Sequence, residues 1–120
     1  MHLVKMIGDS VMIISRTPST LINVVMGLVD TVELDSDLPQ ARAGIDFGAL
    51  VPLAGDYFGR PANVAARLTA FARPGTVVAS KEAISHADVS DLGTTRIGTR
   101  SFKGVGKISA FKVARTEIKS

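Results

Sequence analysis

The sequence predicts an α+β domain built on a mainly antiparallel sheet with helices packed on one face. Three observations lead there: short β-branched runs punctuated by glycine, two amphipathic stretches that each open near a proline, and an element order of β-β-α-β-β-α-β-α-β-β. At 120 residues the chain has room for one core, so residues 1–120 are read as a single domain.

Each element has a local reason. His2 to Ile14 is apolar and largely β-branched, broken at Gly8-Asp9, a dipeptide suited to a tight hairpin turn. Thr17-Pro18 then supplies an N-cap and a proline for the first helical turn, and Leu21, Ile22, Val25, Leu28, Val29 and Val32 recur at helical spacing, which predicts a helix from Pro18 to about Leu34. An acidic loop from Glu33 to Asp37 follows. Arg42 to Leu53 reads as strand, turn, strand, and Gly55 to Pro61 as a glycine-punctuated loop. Pro61 opens a second helix with Val64, Ala65, Leu68 and Phe71 or Ala72 on its apolar face, and Pro74-Gly75 ends it. Thr76 to Ala79 is a short buried strand, Ser80 caps a short helix to about His86, and Thr94 to Arg115 forms two strands joined around Gly104 and Gly106.

Composition narrows the function classes. With no cysteine, disulfides, thiolate metal sites and thiol nucleophiles are excluded, and a reducing cytoplasmic setting fits. No apolar run approaches the roughly 20 residues of a membrane span, and no signal-peptide pattern opens the chain. Residues 1–59 hold three Lys or Arg against seven Asp or Glu, whereas residues 60–120 hold eleven against four. Such asymmetry suits head-to-tail pairing, or carboxylates set opposite phosphate-binding cations, as well as an uneven solvated surface. The cations form no dense run and only six aromatics are present, so a nucleic-acid partner is not expected.

Four stretches carry a resemblance. They are Lys5-Met6-Ile7-Gly8-Asp9; Arg42-Ala43-Gly44-Ile45-Asp46-Phe47-Gly48; Gly55-Asp56-Tyr57-Phe58-Gly59-Arg60-Pro61-Ala62-Asn63-Val64-Ala65-Ala66-Arg67-Leu68; and Phe102-Lys103-Gly104-Val105. In order and spacing they are similar to the class III nucleotidyl cyclase catalytic domain, and most to the bacterial adenylyl cyclases. The third is the most specific, close to a Gly-Asp-x-x-Gly-x-x-Val-Asn-x-Ala-Ala-Arg-Leu signature. The resemblance implies a ferredoxin-like cyclase fold and conversion of ATP to 3′,5′-cyclic AMP and pyrophosphate in cyclic-nucleotide signalling.

It also implies site residues. Lys5 and Asp56 match the family's purine-selecting pair; a donor beside an acceptor suits the N1 acceptor and 6-amino donor of adenine. Asn63 and Arg67 match the transition-state pair, the amide orienting ribose and the guanidinium binding phosphate, and their spacing of four puts both on one helix face. Lys103 matches a triphosphate contact, with Lys107 as a rival. Asp9 matches one of two aspartates that hold two Mg²⁺ or Mn²⁺ ions. Taken alone, Asp9 and Asp56 are also ordinary turn acids and Lys5 an ordinary edge lysine.

Because family sites form between two domains, a head-to-tail homodimer, or pairing with another cyclase chain, is the implied assembly. The chain corresponds to the C-terminal two-thirds of a complete family domain. The stretch with the other metal aspartate, together with an N-terminal strand and helices, finds no match; Asp91-Leu92-Gly93 lacks the aromatic that should follow. The expectation for this exact chain is therefore low activity and poor stability alone. Two other readings are a catalytically silent cyclase-like module that binds nucleotide or pairs with a cyclase chain, and an unrelated ferredoxin-shaped binding domain.

Overall fold

A computed structural model describes residues 1–7 and 9–115. Gly8 of the expected Gly8-Asp9 turn lies outside the described residues. The order is β1 (His2–Ile7), β2 (Ser10–Ile14), α1 (Pro18–Glu33), β3 (Ala43–Ile45), β4 (Val51–Leu53), β5 (Asp56–Phe58), α2 (Arg60–Phe71), β6 (Val77–Ser80), α3 (Lys81–Ser85), β7 (Leu92–Phe102) and β8 (Gly106–Arg115). This is the expected α+β architecture.

The main sheet has the strand order β3-β6-β8-β7, with β3 parallel to β6 and the other neighbours antiparallel. Its helices divide between the two faces, where the element order alone had suggested one. Side chains alternate along a strand. Val77 and Ala79 on β6, Val113 on β8 and Ile45 on β3 accordingly point to a core with Ile22, Met26 and Val29 of α1 and Ala83 of α3. Val78, Ile108 and Ala110 point the other way, to Val64 and Leu68 of α2 and to Ala72 just beyond it. All four residues of β6 are buried, which explains why the segment reads as a continuous run rather than an alternation.

Two small hairpins stand outside this sheet. β1 pairs only with β2, and Val4 is the extra residue of a bulge, since Leu3 faces Ile13 while Lys5 faces Met12. β4 pairs with β5, not with β3. The expected hairpin over Arg42 to Leu53 is thus corrected: β3 joins the main sheet, and the turn lies at Ala54-Gly55, where both residues have positive φ (52° and 79°), the requirement of a tight two-residue hairpin. An alanine there costs about 1–3 kcal/mol of strain, so the sequence carries no Asn-Gly signal at this turn.

The helices start and stop close to the predicted places. Thr17 precedes α1 but makes no side-chain cap; its amide instead donates to Ser15 Oγ, 3.0 Å. Ser80 does cap α3, its Oγ accepting from the Ala83 amide at 3.1 Å, and the same hydroxyl donates to Asp46 at the end of β3. Ser80 is wholly buried with both roles of its hydroxyl filled.

At Gly44 the backbone of β3 meets α2 directly. A Cβ built there would lie 2.3 Å from the Thr69 amide nitrogen and 2.4 Å from the Ala65 carbonyl oxygen, both main-chain atoms that no rotamer change can move. Gly44→Ala should therefore push α2 off the sheet and cost roughly 3 kcal/mol or more, read as a lower denaturation midpoint with an unchanged m-value. A variant as stable as the parent would disprove the contact.

Candidate functional site

Two clusters of the expected residues assemble in space. The first joins β1 to β5. Lys5 follows the Val4 bulge, and its ammonium donates to Asp56 Oδ2 at 2.6 Å across 51 positions of sequence. Asp56 Oδ1 accepts from the Tyr57 amide at 2.7 Å. The Lys5 hydrogen bond, then the Tyr57 amide, hold the Asp56 carboxyl below the ordinary carboxylate value against an opposing desolvation effect. The side chains are 39% and 25% exposed, so the pair is reachable from solvent. His2 meets the Tyr57 ring edge-on beside it, centroids 6.3 Å apart.

The second cluster lies on α2. Val64 and Leu68 anchor the helix in the core, which leaves Asn63 and Arg67 on an exposed face. With Ala66 they line a cavity of about 390 Å³ whose other wall is Lys103, Gly104 and Val105, the turn between β7 and β8. Lys103 thus faces the Asn63–Arg67 pair. Lys107 does not line the cavity, because the alternation that sends Ile108 to α2 sends Lys107 to the opposite side of the sheet. Of the two lysines, Lys103 is the one that lines this cavity.

The turn is held in place from several directions. Phe102 and Val105 pack on the α2 core, and Phe71 meets Phe102 edge-on at 5.9 Å with the Arg100 guanidinium 5.0 Å from the Phe71 ring centre. Arg60, which the sequence reasoning passed over, donates from Nη2 to the Val105 carbonyl oxygen at 3.0 Å. One signal was available. A cation at the first position of a helix faces the positive end of the helix dipole, a local conflict that asks for a tertiary reason.

Asp9 stands apart from both clusters, exposed between β1 and β2. Among the described residues no three His, Cys, Asp or Glu gather where they could hold a metal ion. Asp9 alone does not fit a two-metal site, which needs several oxygen ligands per ion.

No protein-family model matches the chain. Curated relatives do. A pH-sensitive adenylate cyclase of Mycobacterium tuberculosis is 39% identical over 117 residues, covering 93% of this chain and 30% of the relative. An adenylate cyclase of Glutamicibacter nicotianae is 40% identical over 77 residues, covering 64% of this chain and 19% of the relative. Among solved structures, an adenylate/guanylate cyclase/hydrolase from Silicibacter pomeroyi superposes with a TM-score of 0.81 at 27% identity, over 96% of this chain and 73% of that one. The chain belongs to the class III nucleotidyl cyclase family. A rhodopsin-guanylyl cyclase catalytic core in complex with ATPalphaS shares the cyclase fold at 16% identity, with a TM-score of 0.77 over 96% of this chain and 72% of that one. This cyclase domain spans less than a third of the length of the curated relatives it matches.

The Lys5–Asp56 pair gives the cyclase domain an acid-side signature. A carboxylate held below its unfolded value stabilises the fold above that value, near 3.8, and loses the contribution as pH falls through the folded pKa. Asp56→Asn should therefore be less stable than the parent at neutral pH, with the gap closing on acidification below 3.8. Urea midpoints measured down the pH scale test this; a constant gap would show that the ion pair contributes nothing.

Proposed function

We propose that this domain is an adenylyl cyclase catalytic module that reads ATP with Lys5 and Asp56 and places its ribose and phosphates against Asn63, Arg67 and Lys103. The observation that carries this reading is the Lys5–Asp56 contact, which puts a donor beside an acceptor at the positions the family uses for the purine. Adenine offers an acceptor at N1 next to a donor at its 6-amino group; guanine offers a donor and an acceptor in the reverse order, so both protein groups would be mismatched.

The reaction forms a bond from the ribose 3′-oxygen to the α-phosphorus and breaks the bond to pyrophosphate. In this reading Asn63 hydrogen-bonds the ribose and limits its orientation, which lowers the entropic barrier of in-line attack. Arg67 offers a planar fork to the phosphoryl oxygens as their charge grows, and Lys103, across the cavity, a point charge for the leaving phosphates. Mg²⁺ or Mn²⁺, when bound, supplies further charge neutralisation in this class of reaction. Asp9 would be one ligand, and the others must come from outside the described residues.

A second chain is part of the proposal. Leu3 and Met6 on β1 and Val51, Leu53 and Phe58 on the β4–β5 hairpin are exposed on the two hairpins joined by the Lys5–Asp56 pair. An apolar surface around a charged pair suits burial against a partner, and the acidic and basic halves of the chain suit head-to-tail pairing of two copies or of this chain with another cyclase domain. The reading places the domain in the cytoplasm, in cyclic-nucleotide signalling. No helix among the described residues is long and apolar enough to cross a membrane. A second reading is a catalytically silent cyclase-like module that binds nucleotide or pairs with another cyclase chain; Asp9 is the one residue here matched to a metal aspartate.

ATP should bind more tightly than GTP, reaching about a hundredfold or more if each of two unpaired groups costs about 1–3 kcal/mol. Changing Lys5→Glu with Asp56→Cys should erode or invert that ratio, whereas Asn63→Ala and Arg67→Ala should lower turnover with both purines alike. Competition binding with both nucleotides, and a cyclase assay with manganese, provide the comparison. A wild-type ratio near one, or a ratio unmoved by the Lys5 and Asp56 changes, would remove the adenylyl assignment.

A further inference from the structure

We infer that Arg60 is a positioning residue for the phosphate-binding wall: its guanidinium fixes the β7–β8 turn against the start of α2, so that Lys103 stays opposite Asn63 and Arg67. The inference rests on the function proposed above and names a residue for which the family signature specifies nothing.

The geometry is specific. Arg60 is the first residue of α2, three before Asn63, so the same helical turn that presents the amide also projects the guanidinium. The acceptor is the carbonyl oxygen of Val105, whose amide donates within the turn to the Phe102 carbonyl at 3.2 Å. Val105 is thereby held at both its backbone N–H and its carbonyl oxygen, two residues from Lys103. Val105 lines the cavity and Arg60 does not, so Arg60 acts on the turn rather than on the cavity's contents.

The local chemistry argues that the contact has a purpose. A cation at the helix start forgoes the favourable dipole interaction an acidic residue would have, and α2 has no acidic residue in its first turn. The Phe102 and Val105 side chains bind the base of the turn to the core, but Lys103 and Gly104 at its tip are exposed. The Arg60 bond is the one side-chain hydrogen bond to this turn among the described residues. An exposed tip carrying a lysine samples many positions unless its backbone is fixed, and each one away from the cavity weakens the field at the phosphates.

The test combines a ligand-free readout with a binding cycle on the 120-residue chain. In Arg60→Ala, ¹⁵N relaxation of the Lys103 to Gly106 amides should show greater fast motion, while amides from Val64 to Phe71 stay as in the parent. Inorganic tripolyphosphate, measured by calorimetry, should bind about five- to tenfold more weakly, the scale of one ordinary hydrogen bond. Adenosine affinity should not change, because it reports the Lys5–Asp56 pair. In a Lys103→Ala background, Arg60→Ala should have no further effect on tripolyphosphate, since Arg60 acts through Lys103. Unchanged turn amides, or losses from Arg60 and Lys103 that simply add, would overturn the inference, the latter by showing that Arg60 meets the anion itself. If the parent binds neither tripolyphosphate nor adenosine, the proposed function fails, and the relaxation data still decide whether Arg60 orders the turn.

Discussion

The arrangement depends on one backbone approach, the seating of α2 on β3 at Gly44. A missing Cβ lets two main chains touch, and from that contact the rest of the Asn63, Arg67 and Lys103 cluster is laid out. β3 is registered to β6 through Ala43–Val77, Gly44–Val78 and Ile45–Ala79, and β6 to β8 through Val77–Val113 to Ser80–Ala110. The distance from α2 to the β7–β8 turn is therefore set by three strands in fixed register rather than by a loop. Val64 and Leu68 lock the rotation of the helix about its axis, and Asn63 and Arg67 inherit their direction from that lock.

The Lys5–Asp56 pair has a different foundation. Lys5 and Asp56 sit on separate two-stranded hairpins, elements that are marginal by themselves in water. Their ion pair and the His2–Tyr57 edge contact link the two hairpins. Both hairpins carry irregular backbone next to the pair, the Val4 bulge before Lys5 and the left-handed Ala54 before Asp56. A bulge re-aims a side chain and a strained turn fixes where the following residue emerges, so the irregularities lie where two side chains must meet.

How far the sequence was legible follows from these two foundations. The helices, the buried β6 strand, the Ser80 cap and the long β7–β8 pair were readable because periodicity, prolines and capping residues are local signals. The family motifs marked Lys5, Asp56, Asn63, Arg67 and Lys103, and the structure brings them together as one pair and as three residues on the facing walls of one cavity. The partner of β4 was not readable. Ala54-Gly55 has no conventional hairpin signature, because the first of its two positive-φ positions is filled by an alanine. Division of the helices between two faces was also hidden, since it depends on which of Val77 and Val78 faces which helix in a strand buried on both sides. Arg60 was missed because its role lies in a bond to a residue 45 positions away.

The separation of the two clusters bears on how selectivity would arise under the proposed function. With no base present, Lys5 and Asp56 satisfy each other, so neither charge is left without a partner. A purine must therefore compete with an existing ion pair. Adenine does so on good terms, because its N1 accepts from the ammonium while its 6-amino group donates to the carboxylate, and both protein groups keep a partner. Guanine turns a donor toward the ammonium and an acceptor toward the carboxylate, so opening the pair gains nothing and the closed pair wins. Under the proposed function, discrimination then comes from the stability of the unliganded contact as much as from the bound one.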